Sequence, residues 1–281
     1  MEERHIGSIQ IEGFFRYLQE EERSENTIEK YLRDVRSFRN WNGGQQVTKE
    51  RVITYKRHLA ELGYKVRSIN SMLAALNGFF TFIGWQDLKI KSLRFQREVF
   101  SAERKELTRT EYERLCKTAD MKKNERLNLV LQTICGTGIR VSELQFITVE
   151  AVRKGEAVVS LKGKTRNVLL VRALRKKLLG YIASQKIRSG PVFVTKGGRP
   201  LSRTNIWREM KGLCADAEVE PCKVFPHNLR HLFARIFYAI DKDIAKLADI
   251  LGHSSIETTR IYIITTVKEH LKRMECMRLI I

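Results

Sequence analysis

From about residue 8 to residue 85, apolar positions recur at steps of three and four, the spacing of helices that bury one face. The second of four predicted helices carries Ile28, Tyr31, Leu32, Val35 and Phe38 on one side, with Asn26 read as its N-cap and Glu29 three residues on. A third runs from Thr48 through Val52, Tyr55, Leu59 and Leu62. A fourth follows Ser68 with Ile69, Met72, Leu73, Leu76, Phe79, Phe80 and Ile83. This stretch predicts a small helical bundle whose polar faces carry Lys30, Arg33, Arg36, Lys65 and Arg67.

Between Leu88 and Leu107 the periodicity dissolves into Lys89, Lys91, Arg94, Arg97, Arg104 and Lys105, which reads as a basic linker. Helical patterns resume at Thr110 and Lys123. Glu156 to Leu161 and Asn167 to Val171 then read as strands around the turn Lys162-Gly163-Lys164-Thr165-Arg166, with Pro191 to Val194 as a third short strand. Helices take over from Arg203 to the end. The fold class expected is mainly α with a small β-sheet: a helical domain over 1–88, a linker over 89–106, and a mixed α/β domain over 107–281.

Composition narrows the partners. The chain has 281 residues, 52 Lys plus Arg against 32 Asp plus Glu, and a formal net charge of +20. That potential favours a polyanion, and nucleic acid is the first candidate. An anionic membrane surface would also suit the charge, but no apolar run approaches the ~18 residues of a spanning helix. The start, Met1-Glu2-Glu3-Arg4-His5, is not a signal peptide, so a cytoplasmic protein is expected. Five scattered cysteines, Cys116, Cys135, Cys214, Cys222 and Cys276, lack metal-ligand spacing and read as reduced thiols. No metal and no cofactor is expected.

The candidate chemistry lies in short motifs. Arg140 follows a Gly-x-Gly break and precedes renewed helical character, a place suited to an anion, and Glu143 three residues on can orient its guanidinium. In the helix after Pro226, an apolar face of Leu229, Leu232, Phe233, Ile236, Phe237 and Ile240 is flanked by His227 and Arg230, whose i,i+3 spacing lets them converge; His231 is read as pointing further round. Leu251-Gly252 is a left-handed helix stop, and Ser254 with Glu257 reads as the capping box of the next helix. That fixes His253 at the tip, nine residues before Tyr262. Each feature alone fits an ordinary structural role: a surface ion pair for Arg140–Glu143, a loop hydrogen bond for His253, core packing for Tyr262.

Together, Gly-Thr-Gly-Ile-Arg-Val-Ser-Glu-Leu (136–144), Pro-His-Asn-Leu-Arg-His (226–231), Leu-Gly-His-Ser (251–254) and Thr-Thr-Arg-Ile-Tyr (258–262) strongly resemble the tyrosine recombinase, or phage integrase, family, Xer-type enzymes and compact mobile-element integrases especially. Residues 8 to 85 also resemble that family's helical, SAM-like core-binding domain. The resemblance implies that Arg140 and Arg230 are catalytic arginines, Tyr262 the nucleophile, His227 and His253 members of the phosphate pocket, and Glu143 the acidic support. It places the catalytic lysine in the β-hairpin, where Lys162 is the choice and Lys164 its rival. It further implies double-stranded DNA recombination sites as partners, a 3′-phosphotyrosyl intermediate, a Holliday junction and a homotetramer. Ile263-Ile264 departs from the family, where many members are polar.

The chemistry is physically sound. A free tyrosine has a pKa near ~10, so arginines and histidine must stabilise the developing phenolate and phosphorane charge. After Tyr262, an apolar stripe of Val267, Leu271, Met274, Met277 and Ile281 must pack on its own domain or be donated in trans to a neighbouring subunit. A mobile-element role is read ahead of chromosome-dimer resolution. A catalytically inactive DNA-binding accessory protein is the alternative class, opposed by the complete residue set. A metal-dependent nuclease has no carboxylate cluster in its favour.

Overall fold

In the computed structural model, the residues described are 4–94, 106–161, 163–195, 197–262 and 275–276. The chain divides into two compact units, Met1–Arg97 and Glu98–Ile281. Lys162, the linker residues Arg97, Arg104 and Lys105, Ile263-Ile264, and the stripe from Val267 to Ile281 lie outside the described residues.

The first unit consists of α1 (Ser8–Glu20), α2 (Glu25–Asn42), α3 (Lys49–Glu61) and α4 (Val66–Phe82), followed by a 3₁₀ turn at Gln86–Leu88. The predicted apolar faces meet in one core, where Phe14, Val35, Phe38, Leu73, Leu76, Phe79 and Phe80 are fully buried. Phe14 meets Phe79 edge-on at 5.3 Å, and Phe38 meets Tyr55 likewise at 5.1 Å. Two helix starts differ from expectation. α2 begins two residues earlier, with Ser24 rather than Asn26 at its N-cap, because the amides of Thr27 and Ile28 already bond back to Ser24 O. α4 starts at Val66, since Ser68 and Ile69 donate to Lys65 O and Ser68 is thereby inside the first turn. α3 starts where expected, with Thr48 as its N-cap accepting from the Arg51 amide.

The start of the basic stretch is fastened to this unit. Asn77 accepts from the Ile90 amide and donates to Ile90 O, and Asn70 does the same for Leu93. Leu88 and Ile90 are buried beneath. Two side-chain amides here supply the backbone partners that no regular element provides.

The second unit comprises α5 (Arg109–Met121), α6 (Glu125–Thr137), a 3₁₀ turn (Val141–Phe146), α7 (Val149–Lys154), β1 (Glu156–Leu161), β2 (Lys164–Leu169), α8 (Arg172–Ser184), α9 (Arg203–Lys211), a second 3₁₀ turn (Pro221–Lys223), α10 (Pro226–Asp241), α11 (Ile244–Leu251) and α12 (Ile256–Arg260). α6 is apolar nearly all round, burying Leu127, Leu129, Val130, Leu131 and Ile134, and is the central helix against which α5, α8 and α10 pack.

β1 and β2 form a two-stranded antiparallel hairpin with Leu161 opposite Lys164, so the turn is tighter than expected and β2 begins three residues before Asn167. Gly163 closes it with φ 72°. The third strand expected over Pro191 to Val194 is not formed; only isolated bridges occur, Thr148 with Pro191 and Val194 with Pro200. Val192 and Phe193 are apolar because they fill the core, not because they extend a sheet.

Candidate active site

Four consecutive structural devices build the site. α6 ends at Gly138, whose φ of 65° gives a left-handed stop. The chain then turns into the 3₁₀ segment with Arg140 at its N-cap. Glu143 is 2% exposed: its Oε2 accepts from the Arg140 amide at 2.8 Å and its Oε1 from Arg140 Nη1 at 2.8 Å. The guanidinium is thus held from behind while its side chain remains 38% exposed. Burial disfavours a charged Glu143, but the Arg140 amide, the Arg140 guanidinium and the charge of Arg166 outweigh that cost and hold its pKa below the usual carboxylate range.

α10 brings the second arginine. Pro226 occupies its first turn, and Arg230 on the inner face is 1% exposed. A buried guanidinium demands acceptors. Arg230 donates through Nη1 to Gly138 O and through Nη2 to Leu251 O at 2.7 Å, and Nη2 also lies 2.9 Å from His253 Nε2. Its Nε has no hydrogen-bond partner among the described residues. Burial, with Arg140's charge adding, pushes the Arg230 pKa down to about 10, against the opposing effect of Tyr262.

α11 ends in Leu251-Gly252 as expected, with Gly252 at φ 65°. His253 follows, its Nδ1 2.8 Å from Thr259 Oγ1 on α12, so the imidazole is gripped at both nitrogens. Burial and then Arg230, Arg140 and Arg166 press its pKa to about 4, keeping it neutral near pH 7. The cap of α12 is Ser255, which accepts from the Glu257 amide, rather than Ser254. Two adjacent serines compete for that role, and the turn after His253 presents the second.

Tyr262 is 5% exposed and sits inside a ring of aromatic groups. His227 lies 5.4 Å away edge-on, His253 5.3 Å away stacked, and the Arg230 guanidinium carbon 5.9 Å from the ring centre. His231 lies nearer still, at 4.2 Å. This corrects the expectation that His231 points elsewhere: four residues after His227 it shares that residue's helix face, and the two imidazoles meet at 4.7 Å. Burial chiefly, with His227 and Arg235 adding, pushes His231 down to about 3. His227 retains solvent access, yet desolvation by its neighbours and the charges of Arg230 and Arg140 lower its pKa too.

Arg166, on β2, was not among the expected site residues. Its Nη2 donates to Glu143 Oε2 at 2.7 Å and its Nη1 to Ile250 O at 2.8 Å. A cavity of about 870 Å³ opens beside these groups, lined by Arg140, Ser142, Arg166, His253, Ser254 and Thr258 among others. Arg140 and Arg166 pair with Glu143, Arg230 is held by carbonyls and His253, and Asp249 also lines the cavity, so three guanidiniums stand against two carboxylates and the site carries surplus positive charge. Such a pocket accepts an anion and repels a cation. Among the described residues, no three His, Cys, Asp or Glu side chains converge as metal ligands, and no helix is long and apolar enough to cross a membrane.

Comparison with known proteins identifies the family. Residues 105–269 match the Phage integrase family, and residues 11–87 match the Phage integrase, N-terminal SAM-like domain. Tyrosine recombinase XerA of Thermococcus kodakarensis is 32% identical over 275 residues, covering 94% of this chain and 93% of that protein. Among solved structures, XerH site-specific recombinase bound to palindromic difH substrate in a post-cleavage complex aligns with a TM-score of 0.74 at 19% identity, covering 96% of this chain and 84% of the other. A lambda integrase tetramer bound to a Holliday junction aligns with a TM-score of 0.72 at 16% identity, covering 90% and 76%. The helical first unit, the hairpin-bearing second unit and the arginine, histidine and tyrosine motifs all lie within these matches, and the chain belongs to the phage integrase family, the tyrosine recombinases.

Proposed function

We propose that this protein is a site-specific DNA recombinase that cleaves and rejoins strands through Tyr262, and that Arg140, Lys162, His227, Arg230 and His253 serve the same reaction with Glu143 in support. The observation that carries the reading is the enclosure of Tyr262 by His227, His253 and Arg230, beside a cavity that Arg140 makes cationic.

In the step we assign, the Tyr262 hydroxyl oxygen attacks phosphorus and the bond to the 5′ oxygen breaks. The phenolic proton passes to a neighbouring imidazole, His227, because His253 already accepts from Arg230 at Nε2 and bonds Thr259 at Nδ1. A lysine of the hairpin, Lys162, gives its proton to the departing 5′ oxygen, which leaves as a hydroxyl. The product is a 3′-phosphotyrosyl ester that retains the phosphodiester's energy for rejoining. Two guanidiniums match the non-bridging oxygens of the phosphorane, where charge develops. No metal or cofactor enters this scheme.

Residues 1–88 and 107–281 act in our reading as a core-binding domain and a catalytic domain joined by the basic segment 89–106, which follows the DNA backbone. The assembly is a homotetramer on two sites, passing through a four-way junction, a reading that the fold shared with a lambda integrase tetramer on a Holliday junction supports; we further assign the C-terminal stripe from Val267 to Ile281 to donation in trans. A DNA-associated protein of the cytoplasm fits the charge of +20. Integration and excision of a mobile element is the role we assign. Likeness to XerA favours a second one, resolution of chromosome dimers.

The test is to incubate the protein, without metal, with a nicked DNA library and recover DNA that stays attached after denaturation, beside Tyr262→Phe. A 3′-linked adduct from the wild type alone supports the mechanism and identifies the site; element ends or a chromosomal locus then distinguishes the two roles. Salt-sensitive binding with no adduct refutes it in favour of an accessory DNA-binding protein.

A further inference from the structure

Three consecutive carbonyls at the end of α11 each receive an arginine: Ile250 O from Arg166, Leu251 O from Arg230, and Gly252 O from Arg140 at 3.5 Å. The C-terminus of a helix carries partial negative charge, so three guanidiniums can gather there at reduced mutual repulsion. Two of the three belong to the proposed catalytic set. The third, Arg166, has its side chain 12% exposed and joins the hairpin to both halves of the site.

Its position follows from the register. Arg166 pairs with buried Val159 across the hairpin, so it lies on the inward face with Val168 while Thr165 and Asn167 face outward. One nitrogen then reaches Glu143 Oε2, the oxygen that also accepts the Arg140 amide, and another reaches Ile250 O. The stem passes so close to Gly252 that a Cβ there would lie 2.3 Å from Arg166 Cδ. The glycine before His253 is therefore needed for this crossing as well as for its left-handed backbone.

We propose that Arg166 is a positioning residue for strand cleavage: by bridging Glu143 and the end of α11, it fixes Arg140 and His253 at one spacing around the phosphate. This rests on the recombinase reading. Lysine cannot replace it, because an ammonium group lacks the planar fork that spans two separate acceptors.

The experiment uses the full chain and the site recovered by adduct capture, in single-turnover cleavage of a phosphodiester and of a methylphosphonate at the same position. The methylphosphonate lacks one anionic oxygen, so it depends less on a correctly held Arg140. Arg166→Lys, which keeps the charge, is expected to slow cleavage of the phosphodiester on the order of 10²-fold, with half-saturating DNA unchanged and the thermal transition lowered by only a few degrees. The defect should shrink on the methylphosphonate, and Glu143→Gln, which cuts the bridge from its other end, should reproduce it. In an Arg140→Ala background, Arg166→Lys should add a smaller loss than it does alone, the part that acts through Arg140 being already gone. Wild-type rates for both variants, or equal losses on the two substrates, overturn the positioning role. A wild-type protein that forms no adduct refutes the recombinase reading itself, and this role with it.

Discussion

Gly138 allows the tightest physical test of how the site is packed. It ends α6 at φ 65°, and its carbonyl accepts from the buried Arg230. A Cβ built there would lie 2.5 Å and 2.7 Å from ring atoms of Phe233 and 2.9 Å from Leu251 Cδ2. Gly138→Ala thus imposes two costs: left-handed backbone for a residue with a side chain, about 1–2 kcal/mol, and overpacking, about 1–3 kcal/mol. The sum is roughly 2–5 kcal/mol, or roughly 4–20 °C in Tm for a unit of this size. Gly155 supplies the control, because it also ends a helix at positive φ, 93°, but its added Cβ would meet nothing nearer than Arg175 Nη1 at 3.7 Å. Gly155→Ala should therefore cost the backbone part alone. Thermal and urea unfolding of the two variants isolates the steric part, and cleavage assays should show Gly138→Ala slowed as α10 is pushed outward with Arg230. Equal destabilisation by the two substitutions would refute the packing argument.

Removing either guanidinium by Arg140→Ala or Arg230→Ala should slow adduct formation about 100- to 1000-fold, and both should lower Tm, Arg230→Ala by emptying a core position and Arg140→Ala by taking a partner from the buried Glu143; Tm and single-turnover rates measured together check this. Stability should fall as pH drops from about 6.5 toward 4: His253 and His231 have folded pKa values of about 4 and about 3, below the unfolded ~6.5. The unfolded chain then binds more protons in that window, and at pH 5 each histidine costs about 2 kcal/mol. Urea titrations across pH should show the slope, and His231→Asn should reduce it. Thr259→Val should free one nitrogen of His253 and slow cleavage about 10-fold while DNA affinity by fluorescence anisotropy stays constant.

Much of this was legible in the chain. Three- and four-residue apolar steps determined the four helices of the first unit, because burying one face of a helix leaves a period that needs no knowledge of the partner. Local chemistry also determined the stops at Gly138 and Gly252, since left-handed backbone is cheap only without a side chain. Where two local choices were nearly equal, the sequence did not decide: Ser24 over Asn26 and Ser255 over Ser254 depend on where the incoming chain comes from. Val192 and Phe193 look strand-like because apolar runs serve cores as well as sheets.

The site divides along the same line. The motif order brought Arg140, Glu143, His227, Arg230, His253 and Tyr262 into view, and the four-residue spacing of His227 and His231 was a signal for the second imidazole that went unused. Arg166 was written in the hairpin alternation as a charge on an inward-facing position. Its partners were not, for Glu143 is 23 residues away and Ile250 is 84. Sequence by itself determined which groups could do chemistry and which local backbone each required. Only the tertiary structure decided that two arginines share one carboxylate and three share one helix end, because burial and charge compensation are set by groups that meet through folding.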